Sequence, residues 1–205
     1  MTLFNNCVVG IIGLLIFLAM AAVVYIKQVF WFDEPVLAFF AHYRTPIRDV
    51  FFNAVTWAGS LYVLMPIVLA GIFMLKKSGF GDRALFLGLG FGGAMLVTNI
   101  LKRLLGRARP QFFIDPALLP LDHSFPSGHA THITALMLCL LILHHRFAVP
   151  GYSVTAALLL PLAILVALSR VYLQVHFLTD VIAGILVALV WVLLLDCYYW
   201  KGPGI

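Results

Sequence analysis

The feature that most constrains this chain is a succession of long apolar stretches. Val8 to Ile26 runs for 19 residues without a charge, long enough to cross a hydrocarbon core as a helix. Comparable stretches recur near 56–75, 84–105, 127–144, 153–173 and 178–200. Such a chain is expected to be an all-α, polytopic membrane protein of six transmembrane helices, with residues 1–205 forming one domain. Of its 205 residues 63% are hydrophobic and 10% charged, far below the charge of soluble domains. Ala19-Met20-Ala21 resembles a signal-peptide cleavage site, but no Lys or Arg precedes the apolar run, so a retained first span is expected.

Between spans one and two, residues 27–53 mix Trp31, Phe32, Phe39 and Phe40 with Asp33, Glu34, His42, Arg44 and Arg48. Pro35 and Pro46 sit where short helices would begin, which predicts one or two interfacial helices. The third span is rich in glycine (Gly88, Gly90, Gly92, Gly93), which permits close helix packing or a groove between helices. Gly106 to Phe125 reads as a loop with three prolines. Cys7, Cys139 and Cys197 lie in apolar runs and read as small buried hydrophobes.

The net charge is +5, yet no stacking platform accompanies the basic residues, so nucleic acid is not an expected partner. The bilayer and a phosphorylated lipid are. Three polar clusters interrupt the apolar sequence: Lys102 to Pro110, Pro126-Ser127-Gly128-His129, and Ser169-Arg170 followed by His176 and Asp180. Ionisable residues beside hydrocarbon are costly and invite a functional explanation. With alternating spans all three clusters reach one membrane face. The cations on the two faces do not differ enough to set the orientation.

His176 and Asp180 are four apart, so a helix beginning near them places both on one face. The pair is either a simple ion pair or an oriented imidazole whose other nitrogen can attack. Ser127 and Gly128 precede a helix, where free N–H groups hold anions; a plain N-cap is the alternative. Lys102, Arg109 and Arg170 suit phosphate oxygens. Arg103 and Arg107 fit snorkelling anchors at a helix end. Asp122, His123, His129 and His132 are near one another, but the surrounding positive charge opposes a divalent cation, so no metal is expected. Asn99, His144, His145 and Asp196 read as packing, capping or interface residues.

Together the clusters spell Lys102, six residues, Arg109-Pro110; Pro126-Ser127-Gly128-His129; then Ser169-Arg170, five residues, His176, three residues, Asp180. This pattern resembles the type 2 phosphatidic acid phosphatase superfamily, the lipid phosphate phosphatases, and covers residues 102–184. The resemblance implies a metal-independent lipid phosphatase without a cofactor. In it His176 is the nucleophile, Asp180 orients it, His129 is the acid and then the base, and Lys102, Arg109, Ser127, Gly128 and Arg170 hold the phosphate. It further implies a bacterial cytoplasmic membrane, an extracytoplasmic site and cytoplasmic termini. Undecaprenyl pyrophosphate is the favoured substrate. Phosphatidylglycerol phosphate, phosphatidic acid and lipid A are the alternatives. A phosphotransferase or a non-catalytic lipid-phosphate carrier would be readings of another class.

Overall fold

The computed structural model describes residues 3–111, 120–148 and 150–200. Pro116, one of the three loop prolines, and Lys201, a cation near the C-terminus, lie outside them. Among the described residues there is no strand, and eight helices follow in order: α1 (Leu3–Lys27), α2 (Asp33–His42), α3 (Pro46–Trp57), α4 (Leu61–Lys77), α5 (Gly81–Leu105), α6 (Gly128–Arg146), α7 (Tyr152–Tyr172) and α8 (Leu178–Tyr199). The protein is therefore an all-helical membrane protein, as its apolar runs require. The two short helices expected after the first span are α2 and α3. Pro46 opens α3, where its missing N–H costs nothing, and the Thr45 hydroxyl accepts from the Arg48 N–H at 3.3 Å.

The second span begins later than expected. The chain turns at 58–60, and the Ser60 side chain caps α4 by accepting from the Tyr62 N–H at 3.2 Å. Five segments are long and apolar enough to cross a membrane: Asn5–Lys27, Pro46–Lys77, Gly81–Leu105, Tyr152–Tyr172 and Leu178–Tyr199. The remaining expected span, α6, is not among them because it carries four histidines, two threonines and Arg146. It is the central helix and packs on α4, α5, α7 and α8. Ten of its 19 residues are buried, including Thr131, His132 and Thr134. Protein, not lipid, surrounds Thr131, His132 and Thr134, while His145 at the far end is exposed. On α1, by contrast, Leu15 and Ile11 stay more than half exposed, as suits a lipid-facing helix.

Two glycines of α5, Gly90 and Gly93, are used for close helix contact, whereas Gly92 faces open space. A Cβ on Gly90 would lie 2.4 Å from Cys139 Sγ, and one on Gly93 would lie 2.2 Å from the Trp191 ring. They bring α5 against α6 and α8. The reading of the cysteines also changes. Cys139 is free and buried, but Cys7 and Cys197 form a disulfide that joins α1 to α8. Beside it, the buried Asp196 accepts from Asn6 at 2.7 Å and pairs with Arg146 at 2.5 Å. These links hold the ends of α1, α6 and α8 together on the face opposite the three motif clusters.

Candidate active site

The motif clusters meet because four helix ends meet. Helix α5 ends in a turn that carries Lys102, and Gly106, at φ 59°, ends the helix in the left-handed region that glycine tolerates. Helix α6 starts at Gly128, directly after Ser127. The loop from α7 to α8 folds back so that the His176 N–H donates to the Arg170 carbonyl at 3.2 Å. The starts of α6 and α8 are locked together. The Ser127 N–H donates to the Asp180 carbonyl at 2.9 Å, and Thr131 Oγ1 lies 3.0 Å from the carbonyls of both Ser127 and Gly184. A Cβ at position 184 would sit 2.4 Å from the Ser127 carbonyl oxygen, so this contact requires glycine.

His176 Nδ1 lies 3.2 Å from Asp180 Oδ2, and His176 Nε2 lies 3.2 Å from an Arg109 nitrogen. Both partners favour one tautomer: Nδ1–H donates to the carboxylate, and Nε2 keeps the lone pair. Burial is the main effect on the imidazole pKa, and Arg109, Lys102 and Arg170 add to it. Together they hold it well below its ordinary value of 6.5.

Asp180 is fully buried and is satisfied on all sides. Besides His176 it accepts from the Phe177 N–H at 3.0 Å and pairs with Arg107 at 2.5 Å. Arg107 is 1% exposed, which overturns its reading as a lipid-facing anchor. It also pairs with Asp33 at 2.8 Å and lies 4.0 Å from the Phe177 ring centre. Asp33, at the start of α2, accepts from the Phe30 N–H at 3.1 Å, the Thr179 N–H at 3.1 Å and the Thr179 hydroxyl at 2.8 Å. Arg103 is exposed, as an anchor would be.

Lys102, Arg109, Gly128, His129, Arg170 and His176 line one cavity of about 450 Å³, with His132 and Asn99 also in its wall. Asp180 and Ser127 lie fully buried outside that lining. Ser127 does not cap α6 through its side chain, and its buried hydroxyl has no hydrogen-bond partner. Arg170 donates to Thr56 Oγ1 at 2.5 Å, while its Nε is buried without a partner. Asp122 reaches into the same cavity. One of its oxygens lies 2.9 Å from Lys102 Nζ and the other 2.6 Å from Arg109. Lys102 also donates to the His123 carbonyl, and Arg109 to the Asp122 carbonyl at 2.9 Å and the Val175 carbonyl at 2.5 Å.

All eight residues singled out by sequence thus converge. Sequence reasoning missed Arg107, Asp33 and the role of Asp122 as a partner of two cations. A signal for Arg107 existed. Once Gly106 has ended the helix, residues two apart in extended chain project to one side. Arg107 and Arg109 therefore reach the two ends of the same His–Asp pair.

Comparison with known proteins gives a consistent set of likenesses. The family model described as PAP2 superfamily matches residues 83–203. Phosphatidylglycerophosphatase B of Bacillus subtilis is 31% identical over 83% of this chain and 84% of its own length. Undecaprenyl-diphosphatase of Sulfolobus acidocaldarius is 30% identical over 62% of this chain and 58% of its own. A crystal structure of a transmembrane PAP2 type phosphatidylglycerolphosphate phosphatase from Bacillus subtilis superposes with a TM-score of 0.76 at 29% identity. That match covers 92% of this chain and 94% of the other.

Two outcomes are expected from this geometry. Arg107→Ala leaves Asp33 and Asp180 buried without their shared cation, and should destabilise the protein by about 3–5 kcal/mol. A denaturation midpoint in detergent, compared with that of exposed Arg103→Ala, measures it. Secondly, His176 should remain the neutral Nδ1–H tautomer as pH falls through 6.5, visible in its ring ¹⁵N shifts. Because the unfolded imidazole takes its proton at 6.5 and the folded one only well below, stability from this group is complete above pH 6.5. It declines as pH falls toward the folded value.

Proposed function

The chain belongs to the PAP2 superfamily, and on that footing we propose that it is a membrane lipid phosphatase working through a phosphohistidine on His176. The observation that carries this reading is the His176–Asp180 pair, with Nε2 at a cavity lined by Lys102, Arg109 and Arg170. The three cations of this cavity outnumber Asp122, the carboxylate that lines it with them, and so call for a further anion. The orphaned Ser127 hydroxyl and Arg170 Nε would each gain an acceptor from a phosphate oxygen.

In the proposed reaction the phosphoryl group is held by Lys102, Arg109, Arg170, Ser127 and the Gly128 N–H at the start of α6. His176 Nε2 attacks phosphorus, and an N–P bond forms as the P–O bond to the lipid breaks. His129 gives a proton to the leaving oxygen. Asp180 stabilises the imidazolium through Nδ1–H, with Arg107 keeping that carboxylate ionised and in place. His129 then takes a proton from water as the water oxygen attacks phosphorus. The N–P bond breaks, and inorganic phosphate leaves. No step calls on a metal ion.

Two headgroups suit this site. Phosphatidylglycerol phosphate is favoured by the name of the Bacillus relative, whose likeness runs over 83% of the chain. Undecaprenyl pyrophosphate, the expectation from sequence, is supported by the name of the Sulfolobus relative. We further propose that the site faces outward from the cytoplasm, with both termini inside.

With either lipid, His176→Ala should lose phosphate release altogether. His129→Ala should slow turnover by roughly 10²–10⁴ and retain labelled phosphohistidine, because the second step needs its base. Release from a panel of both lipids, phosphatidic acid and lipid A ranks the headgroups. Retained turnover by His176→Ala would sink the nucleophile assignment. For orientation, a cysteine replacing exposed Arg48 should react with an impermeant maleimide on intact cells, and one replacing exposed Lys77 should not. The reverse pattern inverts the topology.

A further inference from the structure

Lys102 and Arg109 already share an anion, and it belongs to the protein. The carboxylate of Asp122 offers one oxygen to each: Oδ2 at 2.9 Å from Lys102 Nζ and Oδ1 at 2.6 Å from Arg109. A phosphate edge presents two oxygens to a guanidinium and an ammonium in the same manner. We propose that Asp122 is an internal anion that competes with the substrate phosphate for Lys102 and Arg109, and so sets how tightly phosphoryl groups are held. The inference rests on the reading of this cavity as a phosphate site.

The burial of the three groups decides which of them gives way. The Lys102 and Arg109 side chains are 9% and 6% exposed, whereas that of Asp122 is 55% exposed. Asp122 lies outside the helices, in the segment before α6. Its carboxylate can turn to water at little desolvation cost, while the two cations cannot follow. Nor would they lose their places. Lys102 keeps the His123 carbonyl, and Arg109 keeps the carbonyls of Asp122 and Val175. The clamp therefore persists without the carboxylate.

The competitor is charged under working conditions. Partial burial pushes the Asp122 pKa up, but hydrogen bonds and charge from Lys102 and Arg109 outweigh it and hold the group below its ordinary value of 3.8. A bound phosphate thus exchanges with an ionised rival, and the rival's return helps free phosphate to leave. Where a rival occupies a seat nine-tenths of the time, apparent affinity falls about tenfold.

The test is calorimetric titration of inorganic phosphate into the purified full-length protein, alongside Lys102→Ala, Asp122→Asn and Asp122→Ser. The competitor role requires both Asp122 variants to bind phosphate about tenfold more tightly than the unaltered protein. If Asp122 instead served to position the cations, both variants would bind more weakly. Weaker or unchanged binding, in a protein whose phosphate binding is lost on Lys102→Ala, overturns the inference while leaving the phosphate site intact. Phosphate binding that does not depend on Lys102 overturns both. The serine variant guards against the asparagine amide reproducing the contacts of the carboxylate.

Discussion

The structure depends on a single guanidinium. Arg107 is shared between Asp33 and Asp180, both fully buried, and no other cation pairs with either carboxylate among the described residues. Burying two carboxylates is tolerable only when their lone pairs are used, and here they are. Asp180 accepts from Arg107, the Phe177 N–H and His176, while Asp33 accepts from Arg107, Thr179 and the Phe30 N–H. The network fixes the start of α8 against the start of α2 and the chain after α5. The orientation of His176 follows from it, because the carboxylate that holds Nδ1 is itself immobilised by groups with no freedom to turn.

The four cations near the site have different tasks despite similar surroundings. Arg107 faces inward and is neutralised. Arg170 is held through Thr56 on α3 and keeps one donor unmatched. Lys102 and Arg109 are held by backbone carbonyls as well as by Asp122, so their positions do not depend on their counter-ion. A site built this way can exchange one anion for another without rearranging its walls.

Much of the fold and of the site is legible in the sequence. The apolar runs carry the helical class, and motif spacing brings eight residues to one face. The misreadings have physical causes. Arg107 looks like an anchor because a cation after a span is usually one; its buried partners lie far along the chain, at Asp33 and Asp180. Gly90 and Gly93 of α5 permit either a groove or contact, and the choice falls to Cys139 and Trp191 on other helices. Cys7 and Cys197 are 190 residues apart, so only the packing of α1 on α8 could reveal their bond. The break at 58–60 turns on a local serine cap that hydropathy does not register.

The low hydropathy of α6 has a consequence for how the protein comes into being. A segment carrying His129, Thr131, His132 and Thr134 partitions poorly into lipid alone, and is comfortable only once α4, α5, α7 and α8 enclose it. Two of those partners, α7 and α8, are synthesised after it. The helix therefore completes its membrane integration only in company with later segments. Because its first residues supply Gly128 and His129 to the cavity, that cavity assembles at the same moment as the bundle. Its walls are not complete until the last helices are in place.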